Sequence, residues 1–402
     1  MMDSDNVDMP QENVDFRIIS SISVAENPAS VFAMPRRFLI APDKFKGSLT
    51  AVQAADAMAA GVRRIFPDAE IDLCPIADGG EGFMETLAPT LHARWITCPA
   101  VDALGRAIES RYLLADTPEG PTAVLEMAET AGLWRLTAAE RNPLVASTRG
   151  TGQQMVHAIR EHGVARIILG IGGSATNDGG SGMAAALGIL FLADDGDPID
   201  PNPSTLFHVR RVDTASRLPL PEIIAACDVE NPLLGPLGAT AVFSSQKGAT
   251  AEDKIPLEAG LAWLVSISSG GAAALIPGAG AAGGLGFGLL HFAGARLISG
   301  FDLLAGLLDL KTRIAAADQV FTGEGSIDHQ SLAGKGPVAL ARMAGSLGKP
   351  VTAFCGQADD AARGSDTFRR IHALADSGLP METLIAQAAP LLTAMVTESD
   401  FN

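Results

Sequence analysis

The segment ARIILGIGGSATNDGGSGMAAALG, residues 165 to 188, restricts the possible folds more than any other part of the chain. An apolar run of the kind that forms a buried parallel strand enters a loop with six glycines between Gly170 and Gly182, then a stretch of small residues that reads as a helix. Strand, glycine loop and helix form the repeating unit of parallel α/β sheets, and the loop lies at the carboxyl edge of its strand, where open sheets bind ligands. Set among the glycines, Ser174, Thr176, Asn177 and Asp178 suit a phosphate cradle with an acid beside it. A plain strand-to-helix turn seldom needs that combination. No lysine follows the glycines, so this is not a Walker A loop. Gly170-Ile171-Gly172-Gly173-Ser174-Ala175 also lacks the G-x-G-x-x-G spacing of dinucleotide sites.

Similar units stand at both ends of the chain. RRFLIAP (36 to 42) reads as a strand, Thr50 with Gln53 as a capping box opening a helix, and AEIDLCPIA (69 to 77) as a second strand ending in DGGEG. Towards the other end, AADQVFTGEG (316 to 325) is a strand entering a polar loop. A helix, the strand KPVTAFCG, a further strand at 370 to 374 and a single last helix over PMETLIAQAAPLLTAM follow. The fold class expected is therefore α/β with two α/β domains, which suits 402 residues. The two ends of the chain, 37–96 plus 291–402, are expected to build one parallel-sheet domain around an insertion over 97–290. Residues 1–36 read as a poorly ordered tail, and Met34, directly before Pro35-Arg36-Arg37, as the natural start.

A formal charge of −17 argues against nucleic acid and anionic membranes as partners, and requires a local basic pocket for any small anionic substrate. Cys74, Cys98, Cys227 and Cys355 are scattered without metal spacing, which points to reduced thiols and a cytoplasmic location. Residues 259 to 295 contain no Asp, Glu, Lys or Arg. Pro277 and the dense glycines nevertheless make that stretch a buried turn opening a core helix rather than a membrane span.

Phosphoryl transfer calls for backbone NH groups and lysines around the donor phosphates, carboxylates for magnesium, and a group that orients the attacking hydroxyl. APDKFKGSLT (41 to 50) offers Asp43, Lys44, Lys46 and Ser48 before a helix N-terminus, though the same residues also suit a solvated turn. IADGGEGF (76 to 83) offers Asp78, Gly79, Gly80 and Glu81, and would equally serve as a tight turn with Asp78 as cap. Arg149 in STRGTGQ and Lys247 in SSQKGAT are suited to neutralising phosphate or carboxylate, and Asp228 with Asn231 to meeting a metal or a substrate hydroxyl. Glu324, Asp328 and Lys335 crowd another loop near a helix start. No histidine is singled out as a catalyst.

Together, APDKFKGSLTA, PIADGGEGF, STRGTGQ, LGIGGSATNDGGSGM, CDVENPLLG, PGAGAAGGLGFG and TGEGSIDHQSLAGKGP resemble, in order, the bacterial glycerate kinases that form 2-phosphoglycerate. The resemblance spans about residues 37 to 378. It implies ATP and Mg2+ as cofactors, D-glycerate as acceptor, and two α/β domains, a Rossmann-like parallel sheet from the chain's two ends and a smaller inserted middle domain, with the active site in the cleft between them. Individual roles are left open by it. From their positions at strand ends, Asp178 or Asp78 is expected to accept or orient the glycerate hydroxyl, with the other near magnesium. Lys46 or Lys247 is expected to balance charge on the transferring phosphoryl, and Gly172 to Asn177 to cradle phosphates. Two other classes compete. A nucleotide-dependent oxidoreductase lacks its fingerprint at the first strand-to-helix turn, and a non-catalytic small-anion binding protein has little need for so many acids and bases on separate loops.

Overall fold

The computed structural model describes residues 37–77, 79–329, 331–334 and 336–400. The expectations placed on Asp78, on Lys335 and on the tail up to residue 36 lie outside the described residues.

The first sheet runs, in spatial order, Arg370–Ala373, Val351–Cys355, Gln319–Thr322, Arg37–Ile40, Glu70–Leu73. Every neighbouring pair is parallel. A parallel sheet covered on both faces demands near-continuous apolar strands. Accordingly Phe38, Leu39, Ile40, Val320, Phe321, Ala353 and Phe354 are all buried. In chain order the chain lays Arg37–Ile40 first, then Glu70–Leu73 on one side of it, and the other three strands on its opposite side. The winding therefore reverses between Arg37–Ile40 and Gln319–Thr322. Loops leaving those two strands diverge and open a crevice at their carboxyl ends.

The helix Ala51–Ile65 starts on the expected capping box: Thr50 Oγ1 accepts from Gln53 N at 3.1 Å, and Gln53 Oε1 accepts from Thr50 N at 2.9 Å. Its buried face, including Ala54, Met58 and Val62, packs on Phe38, Ile40 and Phe321 and on Leu392 and Val396 of the helix Ala388–Glu398. The single last helix expected from the sequence is two. Gln387 leaves helical geometry (φ −113, ψ 24), which separates Ala388–Glu398, packed along Ala51–Ile65, from Met381–Ala386, which borders the cleft described below.

The second sheet runs Arg296–Ile298, Glu222–Ala226, Arg166–Gly170, Gly120–Glu126, Ala107–Thr117, Arg94–Val101. Its first four strands are mutually parallel and its last two antiparallel. This sheet has six strands against five in the first. Arg296–Ile298, beyond residue 290, pairs with Glu222–Ala226 and so belongs to the second sheet. The uncharged stretch folds as the helices Lys254–Ser268, Gly271–Ala274 and Ala281–Phe292. Among the described residues no helix is long and apolar enough to cross a membrane.

Candidate active site

The carboxyl edges of the two sheets face one cleft of about 820 Å³, within the range of small-molecule sites. The first sheet contributes Asp43 to Lys46, Ser48, Glu324 to Ser326 and Asp328. The second contributes Ile171 to Ser174 and Ala226 to Val229, joined by Lys247 and by Ala281 and Ala282. The sheets meet backbone to backbone. Gly172 N donates to Gly79 O at 3.2 Å. A Cβ at Gly172 would lie 2.6 Å from Gly80 Cα, and one at Gly170 would lie 2.5 Å from Gly79 O. Only glycine permits that approach.

On the first sheet, Asp43 is buried. Its N–H donates to Gly323 O at 2.8 Å, linking the two loops of the crevice, and its Oδ1 accepts from Lys44 N at 2.6 Å. Lys44 Nζ donates to Glu81 O at 2.9 Å, so the APDKFKG loop is also tied to the DGGEG loop. Ser48 lines the cleft while its Oγ donates to Phe45 O at 3.2 Å, serving as site residue and turn residue together. Lys46 and Glu324 line the same space, as does Asp328, whose Oδ1 accepts from Ser331 N at 3.0 Å. Asp228 reaches the cleft from the second sheet, but its Oδ1 accepts from Gly300 N at 2.7 Å and from Ser299 Oγ at 3.2 Å, holding the start of the helix Gly300–Leu307.

The glycine loop divides in two. Gly172, Gly173 and Ser174 face the cleft, whereas Thr176, Asn177 and Asp178 turn into the interior and are absent from the cleft wall. Asp178 Oδ2 accepts from Thr148 N and Thr148 Oγ1, both at 2.8 Å, and from Gly182 N at 3.2 Å; Oδ1 accepts from Gly180 N at 3.1 Å. Burial raises the Asp178 pKa, and these hydrogen bonds oppose the rise. Of the stretch Gly172 to Asn177 expected to cradle phosphates, Gly172–Ser174 therefore line the cleft. Asp178, expected to meet substrate, lies in the interior with its two oxygens serving four donors. Asn177 Nδ2 donates to Thr240 Oγ1 at 3.1 Å. Lys247 is buried at the cleft wall and donates to Thr176 O at 2.7 Å. Burial pulls its ammonium down to about 7, against the opposing charge of Asp178. Arg149 is not brought to the cleft; it pairs with Asp200 at 2.6 Å, and its neighbour Thr148 serves the glycine loop through Asp178.

One positioning residue was missed from the sequence. Glu126 closes the strand Gly120–Glu126 beside Gly170, and its Oε1 accepts from Met84 N at 2.6 Å, holding the first turn of the helix Phe83–Thr90 that follows DGGEG. The available signal was an acid ending the apolar run AVLE. Burial lifts its pKa from 4.5 to about 8, with the bonds from Met84 and Gly82 opposing. The fold therefore holds a proton that the unfolded chain has released, and stability should fall as pH rises from 4.5 to about 8. Glu126→Gln keeps an acceptor for Met84 N, so melting temperature against pH should lose that part of its slope. An unchanged slope would mean that another group is responsible.

Two parallel-sheet edges facing each other across glycine turns, Lys44, Lys46 and Lys247, and several carboxylates define a small-molecule phosphotransferase built without a Walker lysine loop. The family model described as glycerate kinase family matches residues 38–399, and the chain belongs to that family. A glycerate kinase of Halalkalibacterium halodurans is 43% identical over 79% of this chain and 84% of its own. The glycerate 2-kinase of Escherichia coli K12 is 40% identical over 81% and 86%. The crystal structure of a Salmonella typhimurium LT2 protein described as a glycerate kinase 2 superposes with a TM-score of 0.77 at 34% identity, covering 90% of this chain and 96% of the other.

Proposed function

We propose that this chain transfers the γ-phosphoryl group of ATP to the 2-hydroxyl of D-glycerate, giving 2-phosphoglycerate and ADP. The observation that carries this reading is the single cleft onto which both sheets direct their anion-suited loops, in a chain of the glycerate kinase family. The 2-hydroxyl is supported by the E. coli relative, which is named for phosphorylation at that position. In the reaction the hydroxyl oxygen attacks the γ-phosphorus, the bond to the β–γ bridging oxygen breaks, and the hydroxyl proton passes to a base.

Lys44, Lys46 and Lys247 bring positive charge to a chain whose net charge opposes anions, and the backbone NH groups of Gly173 and Ser174 cradle phosphate oxygens, the Gly172 N–H being engaged by Gly79 O. Among the described residues no three His, Cys, Asp or Glu side chains gather as a metal site. Magnesium in kinases takes only one or two carboxylates, with phosphate oxygens and water completing its shell, so the residues fit it. Asp43 and Glu324, on loops joined by the Asp43 to Gly323 hydrogen bond, would hold the ion, which supplies charge neutralisation at the phosphates. Asp228 then positions the second-sheet side of the cleft. Asp78 retains the role of orienting the hydroxyl, assigned from its place in DGGEG, and Lys335 remains a phosphate ligand on the same basis. The four cysteines are free thiols, three of them buried, which supports a cytoplasmic enzyme.

Purified protein should release ADP when given ATP, Mg2+ and D-glycerate, and phosphorus–proton correlation by NMR should place the phosphate on the central carbon. No turnover with glycerate or related hydroxyacids would end the kinase assignment, and phosphate on the terminal carbon would end the regiochemical one.

A further inference from the structure

Resting on the kinase reading for the identity of its ligand, we propose that Met381 and Ile385 form the shelf on which the purine base of the nucleotide lies. Neither residue belongs to the motifs that suggested the function. The two are one helical turn apart in Met381–Ala386, and they are 53% and 45% exposed, while Leu384 between them is 5% exposed and anchors the helix. With Leu374, Leu384 and Ala388, both line the catalytic cleft. Large apolar side chains left open on a ligand cleft mark a surface that something apolar covers.

The reactants identify the occupant. Every carbon of glycerate bears oxygen, and the triphosphate is anionic throughout. Only the base offers flat apolar faces. The shelf is also joined to the phosphate end of the cleft by a short chain of backbone hydrogen bonds: Gly356 N donates to Glu324 O at 3.1 Å, and Ala375 N to Gly356 O at 2.9 Å. One nucleotide lying along this wall has its base at Met381 and Ile385 and its phosphates near Asp43, Lys46 and Glu324. The shelf then lies beyond Val351–Cys355 and Arg370–Ala373, the fourth and fifth strands laid down in the first sheet, on the side of the winding reversal that carries Gly356 and Leu374.

Calorimetric titration with ADP tests this without requiring turnover. Met381→Ser and Ile385→Ser should each weaken ADP binding about tenfold, because each removes an apolar surface that the base would cover. Affinity for inorganic tripolyphosphate, which has no base, should change less than about twofold, and Ile385→Leu should restore nearly full ADP affinity. Unchanged ADP affinity in both folded serine variants, or equal losses for ADP and tripolyphosphate, would overturn the shelf. So would a wild-type protein that does not bind ADP. A wild type that binds ADP in this pattern but leaves D-glycerate untouched would remove the proposed reaction while leaving the shelf in place.

Discussion

Asp178→Ala should cost about 3–5 kcal/mol of stability, and its loss of turnover should follow its loss of folded protein. The carboxylate is fully buried and satisfies Thr148 N, Thr148 Oγ1, Gly180 N and Gly182 N. Removing it strands four buried donors and leaves Lys247 without its opposing charge. Asp178→Asn should lose less, since one amide oxygen can still face the three donors at Oδ2 while the NH2 group meets Gly180 N–H. Urea unfolding and steady-state rates on the same preparations provide the check. If Asp178→Asn melted like the wild type yet turned over a hundredfold more slowly, the residue would be touching substrate after all, and the bracing role would fail.

The second large effect concerns the seam between the sheets. In Gly172→Ala the new methyl would lie 2.6 Å from Gly80 Cα and 3.1 Å from Gly80 N. The obstruction is backbone rather than a movable side chain, so the two loops must part. Displacing positioned groups by an ångström costs on the order of a hundredfold in rate, and kcat/KM should fall by about that much. Gly271→Ala is the matched control, because a Cβ there meets nothing within 4 Å and its φ is not in the left-handed region. Kinetics for Gly172→Ala indistinguishable from those of Gly271→Ala would show that the seam does not set the geometry of the site.

The parts of this fold that were legible in the sequence are those governed by local chemistry. The Thr50 capping box and the apolar runs at Arg37–Ile40 and Val351–Cys355 could each be read within a few residues. The assignment of Arg296–Ile298 to the second sheet could not, because a three-residue strand has too little pattern to reveal its partner. The glycine loop was visible as a site, yet the direction of its polar residues was not. Gly173, Gly179 and Gly180 all take left-handed φ, and those turns send Asp178 inward towards Thr148, a contact thirty residues away in sequence. Arg149 illustrates the converse, a well-placed cation by motif that Asp200 draws away from the cleft. Glu126 escaped notice, and Met381–Ala386 was read only as part of one last helix, because their surroundings come from distant segments of the chain.

The glycine contacts at the seam also have a mechanical meaning. The Gly79–Gly80 backbone lies directly against Gly170 and Gly172, and a second set, Gly179 and Gly180, lies against Gly284 and Gly288. Main chain pressed on main chain has no rotamers to yield, so the spacing between the loop after Glu70–Leu73 and the loop after Arg166–Gly170 cannot be relaxed by any side-chain adjustment. Whatever the flanking helices do, these two stretches of backbone stay in register with each other.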